Sequence, residues 1–81
     1  MSCEGWGVGD RCRATEEIHV KEKKDGAIQV AIIKEGDEGV VTDKYADVHQ
    51  LQVFWAHLRR KLVLEHFQIH LLEKVTGSAE A

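Results

Sequence analysis

Eighty-one residues, 43% apolar and 31% charged, suffice for one small globular domain whose core lies near the lower limit for independent stability, with little room for a deep cleft. The formal charge of −3 disfavours general nucleic-acid binding but leaves room for a local basic patch. No apolar run approaches the ~20 residues that a bilayer span requires, so no membrane segment is expected.

In chain order, "MSCEGWGVGD" lacks a charged start followed by an apolar run, which predicts no signal peptide and a cytoplasmic protein. Residues 1–7 read as a flexible lead, residues 8–75 as a single domain, and residues 76–81, "TGSAEA", as a fraying, disordered tail. The two cysteines, Cys3 and Cys12, are not in C-x-x-C spacing, so the common redox and zinc signatures are absent. Two free thiols in a reducing compartment are the plain expectation, and a Cys3–Cys12 disulfide is the alternative for an exported chain. Cys12 alternates with Arg11 and Arg13, which points it inward.

Period-two patterning recurs along the chain. In "DRCRATEEIHV", Cys12, Ala14, Ile18 and Val20 share one parity; in "AIQVAII", Ile28, Val30 and Ile32 do; in "LQVFW", Leu51, Val53 and Trp55 do. "GVVTDKY" supplies Val40 and Val41, and "LVLEHFQIHLL" reads as a last extended run with Phe67, Ile69 and Leu71 on one face. Between the runs, Asp25-Gly26 predicts a hairpin turn and Gly36-Asp37-Glu38-Gly39 a second tight turn. The pattern predicts a mainly β domain, a five-stranded antiparallel barrel. Residues 46–75 contain neither glycine nor proline, and Leu51, Trp55, Leu58 and Leu62 also fall at helical spacing, so an α+β fold with a helical C-terminal half is the alternative.

The ordered set "VGDRCRA" (8–14), "IKEGDEGVV" (33–41), "LQVFW" (51–55) and "FQIHLLE" (67–73) resembles the SH3-like small β-barrels. That resemblance implies five strands with a short helical turn before the last. Two narrower likenesses lie within it. The start of the chain and "AHLR" at 56–59 are similar to the variable chain of ferredoxin–thioredoxin reductase, which implies an accessory subunit without catalysis or cofactor. "GDEGVV" is similar to KOW-type elements, which implies RNA contact, although Asp37 and Glu38 put negative charge where such loops carry basic residues.

The reactive side chains give little chemistry. A phosphate loop needs a lysine beside its glycines, and a calcium loop needs oxygen ligands alternating over a dozen residues; residues 36–39 offer neither. His66 and His70 are four apart: on a helix they share a face that suits zinc, and on a strand they stand ~13 Å apart at ~3.3 Å per residue. Both serines, Ser2 and Ser78, lie in the tails, which disfavours a serine nucleophile. The expectation is therefore no enzyme, with no catalytic, cofactor or metal site; a Cys12–histidine metal or enzyme site is the remote alternative.

What remains is surface. If Trp55 faces the core, Phe54 faces out, beside Val41 or Tyr45. Arg59-Arg60-Lys61 is the tightest basic run, and Lys21, Lys23 and Lys24 form a second. Trp6, between two glycines, is a plug over the core or an exposed anchor. These residues predict a protein-interaction or accessory-subunit module whose partner-binding surface comprises Trp6, Tyr45, Phe54, Arg59, Arg60 and Lys61. A protein partner, including a second copy in a homodimer, is favoured over nucleic acid. An RNA-binding module using Lys21, Lys23, Lys24, Arg59 and Arg60 is the rival.

Overall fold

Asp25 and Gly26 both take positive φ, 52° and 79°, the pair of values that closes a two-residue hairpin compatible with strand twist. In this computed structural model, which describes residues 5–75, that turn joins β2 (Ile18–Lys24) to β3 (Ala27–Ile33). The other strands are β1 (Arg11–Ala14), β4 (Glu38–Tyr45), β5 (Gln50–Trp55), β6 (Arg60–Leu64) and β7 (Leu72–Lys74). A 3-10 turn, Ala46–Val48, precedes β5, and a short helix α1, His66–Ile69, precedes β7. The chain is mainly β, and residues 46–75 carry strands with the 3-10 turn and the short helix α1 rather than a helical half. The expectations for residues 1–4 and 76–81, Cys3 included, fall outside the described residues.

All pairings are antiparallel. Five strands form one sheet in the order β6-β5-β4-β1-β7, and β2 and β3 form a separate two-stranded ribbon. Among the described residues no ladder joins the two sheets, so the hydrogen bonding is that of an open sheet with a ribbon beside it. The ribbon reaches the sheet through its root. Ile18, Val20 and Ile33 are buried and join Val41, Leu51, Val53, Trp55, Leu62 and Leu64 in one core.

The second turn works as the sequence predicts, but its two glycines serve different ends. Gly36 has φ +92°, and the turn is held by Asp37 N–H to Lys34 O at 3.0 Å and Lys34 N–H to Asp37 Oδ2 at 3.0 Å. Gly39 is in β4, opposite Trp55. A Cβ there would lie 2.7 Å from both Val53 Cγ1 and Phe54 O, so Gly39 is needed for close packing rather than for turning.

Two expectations are corrected. "DRCRATEEIHV" is not one strand: it breaks between β1 and β2, where Thr15 donates its N–H to Leu71 O at 2.7 Å and leaves its first partner strand. Its inward parity nevertheless holds across the break, since Cys12, Ala14, Ile18 and Val20 are all buried. Ile28, Val30 and Ile32 share a face as the pattern predicts, and that face is exposed, at 71%, 53% and 43%. "LVLEHFQIHLL" is not one extended run either. Glu65 ends β6 and opens α1, with Gln68 Oε1 accepting from Glu65 N–H at 2.9 Å. Phe67 is consequently exposed while Ile69 is buried.

Candidate interaction surfaces

Because Leu51, Val53 and Trp55 fill the core, β5 turns Gln50, Gln52 and Phe54 to the outer face. The register then builds a row across four strands. Arg11 stands opposite Val40, Val40 opposite Phe54, and Phe54 opposite Lys61. Phe54 and Val40 are 37% and 38% exposed, an apolar centre between two cations. A shallow hollow of about 240 Å³ lies over them, bordered by Arg11, Glu38 and Ala56. The neighbour of Phe54 is Val40, not Val41, because Val41 is buried opposite Val53.

The other residues of the expected surface are distributed as follows. Lys61 adjoins Phe54; Arg59 sits in the β5–β6 turn with φ 56°, its N–H donating to Trp55 O at 2.7 Å. Arg60 is ion-paired with Glu22 of β2. Tyr45 stands opposite Gln50 on the outer face, four residues along β5 from Phe54, which is ~13 Å at strand rise. Loss of solvent and the nearby Asp43 carboxylate push its phenol pKa up. Trp6 is elsewhere. It is half-buried and packs against the core, its carbonyl accepts from Lys44 Nζ at 2.9 Å, and Lys74 Nζ lies 5.4 Å from its ring centroid. Lys44 stands opposite the buried Leu51, which places this cluster on the core side of the sheet. The six residues thus fall into a Phe54–Lys61 group with Arg59 and Arg60 next to it, Tyr45 farther along the same face, and Trp6 behind it. Below Trp6, Asp10 accepts from Gly7 N–H at 2.8 Å, and that bond, aided by Lys74 and Lys44, holds its carboxyl below the ordinary range.

The Arg60–Glu22 pair has a second consequence. It brings the Arg59–Lys61 turn alongside β2, the strand that carries Lys21, Lys23 and Lys24. The strands that carry the two basic runs are thereby tied together, which sequence spacing alone does not reveal, while alternation turns Lys21 and Lys23 to the face of β2 opposite Glu22.

Two features escaped the sequence reading. A groove of about 410 Å³ separates β2 from β6 and α1, with His19 and Lys21 on one wall, Val63 and Phe67 on the other, and Gln68 between. Gln68 is buried, and its Nε2 donates to His19 O at 2.8 Å, standing in for a ladder bond that β2 does not make on that side. The other feature is the exposed stripe of β3. Its signal was present: a two-residue turn at Asp25-Gly26 sets Lys23, Lys21 and His19 opposite Ile28, Val30 and Ile32, a face too charged to be core.

The cysteine–histidine alternative would rest on Cys12 and the histidines. Cys12 is fully buried, and loss of solvent pushes its thiol up to about 11, so the reactive thiolate is suppressed at neutral pH. His66 and His70 lie on α1 and its C-terminal cap, yet among the described residues no group of three or more His, Cys, Asp or Glu is arranged to hold a metal ion. No helix among the described residues is long and apolar enough to cross a membrane. No protein-family model, curated protein or solved structure matches the chain.

Proposed function

We propose that this chain is an SH3-like small barrel that acts as a non-catalytic protein-interaction or accessory-subunit module, binding through the outer face around Phe54. The barrel reading is supported by the helical turn ahead of the last strand and by β2 lying beside β6, tied by Arg60–Glu22 and by Gln68 to His19. The observation that carries the functional reading is the row Lys61–Phe54–Val40–Arg11. An aromatic anchor with an apolar neighbour and a charged rim is the anatomy of a protein interface, and Arg11 and Lys61 suit a partner with acidic residues around an apolar pocket. The test replaces Phe54 with Ser. The variant is expected to keep its thermal midpoint and to lose proteins that the immobilised wild-type chain retains from an extract of its own cells. Retention of the same proteins by both forms would refute the reading, and unfolding of the variant would refute the outward placement of Phe54.

One observation favours the RNA-binding reading as a second: the Arg60–Glu22 pair ties the Arg59–Lys61 turn to β2, the strand that carries Lys21, Lys23 and Lys24. It requires retention on heparin at low salt and RNA affinity that falls steeply as salt rises. Passage through heparin without retention would remove it.

A further inference from the structure

Among the described residues, strand β3 is an open edge with none of the usual protection. It is seven residues long, AIQVAII, and holds no charged residue, proline or glycine. Its pairing with β2 runs without a register shift, so no bulge twists the edge away. The other sheet edges differ. β7 is three residues long and carries Glu73 and Lys74. β6 carries Arg60 and Lys61, and β2 lies beside it.

The turn fixes which backbone groups are free. Lys24 and Ala27 flank the two-residue loop and form the hydrogen-bonded closing pair. Alternation then directs the N–H and C=O of Ala27, Gln29, Ala31 and Ile33 toward β2, and those of Ile28, Val30 and Ile32 away from it. His19 O, which lies on the far side of β2 by the same alternation, accepts from Gln68 rather than from β3. The residues with outward backbone groups are also those with exposed β-branched side chains.

The order Ile28-Gln29-Val30-Ala31-Ile32 reads the same in both directions at its β-branched positions. We propose that β3 pairs antiparallel with β3 of a second copy, about a two-fold axis at Val30, to form a homodimer with a four-stranded sheet. In that register Val30 stands opposite Val30 of the second copy, and Ile28 opposite its Ile32. Each pair exchanges both backbone hydrogen bonds, and β-branched side chains meet across the seam. Neither copy brings a charge to the contact, since the lysines of this face are on β2. An isolated two-stranded ribbon is marginal in water, so pairing also stabilises the element that makes the contact. The interface is small, which sets dissociation in the micromolar range or weaker.

The test is sedimentation equilibrium of the full chain from about 1 μM to 1 mM, spanning that range. Wild type is expected to pass from one chain mass to two. Val30→Lys places like charges at the axis, and Val30→Pro removes an outward N–H that the ribbon does not use; both variants are expected to remain at one chain mass at every concentration, with unchanged circular dichroism. Val30→Thr keeps an uncharged β-branched residue and is expected to dimerise. Phe54→Ser is also expected to dimerise, which separates this contact from the outer-face site. A wild type that stays monomeric overturns the proposal. So does a dimer that persists in both Val30→Lys and Val30→Pro, and so does loss of the dimer in Val30→Thr. If a Val30 variant loses its circular dichroism, Gln29→Pro serves as control: its N–H faces β2, and it is expected to damage the ribbon where Val30→Pro does not. Equal damage by both would overturn the backbone assignment.

Discussion

Strands β5 and β3 carry the same alternation of β-branched and apolar residues and end in opposite surroundings. In β5, Leu51, Val53 and Trp55 are fully buried, because β4 and β6 flank the strand and the ribbon root covers the inner face. In β3, Ile28, Val30 and Ile32 are exposed, because the strand has one partner and leaves the core at Ile33. Alternation therefore tells which residues share a face, while the number and placement of neighbouring strands decides whether that face is dry. The energetic contrast follows from burial and can be measured residue by residue.

The largest effect is expected at the centre of β5. Trp55 is fully buried and is the largest side chain in the core, so Trp55→Ala should destabilise the chain by about 3–5 kcal/mol, read as a fall in the urea midpoint. In a chain of this size that loss approaches the whole stability, and an unfolded protein is a consistent result. A loss under about 1 kcal/mol would mean that the site collapses or that Trp55 is not core.

Cys12, in the same core, gives a pH-dependent version. Its thiol is raised from 9.0 to about 11 in the folded chain, chiefly by loss of solvent. A raised folded value means that the unfolded chain releases its proton first. The stabilisation is therefore complete below about pH 9 and is lost as pH rises toward about 11, by about 2–3 kcal/mol. Urea midpoints measured from pH 8 to 11 for wild type and Cys12→Ala check this; the variant should lose part of the alkaline slope. Equal slopes would place the thiol in solvent.

Gly39 tests the packing of β4 on β5. Adding one methyl group, Gly39→Ala, forces a Cβ to within 2.7 Å of Phe54 O and Val53 Cγ1, and an overpacking cost of about 1–3 kcal/mol is expected. Since backbone cannot yield as a flexible side chain would, a neutral result would show that the two strands are farther apart than described.

Much of this layout was legible in the sequence. The mainly β class, the Asp25-Gly26 hairpin, the Gly36 turn and the inward set Cys12, Leu51, Val53 and Trp55 follow from period and turn chemistry, which are local. The shared face of Ile28, Val30 and Ile32 was legible from alternation, but its exposure was not assigned, because that requires setting β2 against β3 in register. A helical turn before the last strand was expected from the resemblance alone; its place at His66–Ile69 was not legible in the pattern, because an apolar parity continues from Val63 through Phe67 to Leu71, whereas the bond from Glu65 N–H to Gln68 Oε1 that interrupts the strand depends on one glutamine rotamer. The approach of Arg60 to Glu22 was not legible, since thirty-eight residues separate them and only the tertiary fold sets their distance. The outward placement of Phe54 was legible through Trp55; the position of Trp6 behind the sheet was not, because no periodicity extends into the glycine-rich start.

The smallest expected effect gives the sharpest version of the contrast. Ile28→Ala and Leu51→Ala each remove an aliphatic side chain from the same phase of an alternating strand, yet Ile28 is 71% exposed and Leu51 is fully buried. Leu51→Ala should cost about 2–5 kcal/mol, and Ile28→Ala at most about 0.5 kcal/mol. The measurement belongs at low protein concentration, where any pairing through β3 is dissociated and the ribbon stands alone. Raising the concentration then separates two sources of stability. If β3 pairs with a second copy, wild type gains stability with concentration by mass action and Ile28→Ala gains less, so the difference between them widens. A difference that is already large at low concentration would mean that Ile28 is covered within its own chain, and the distinction between the two strands would fail at that residue.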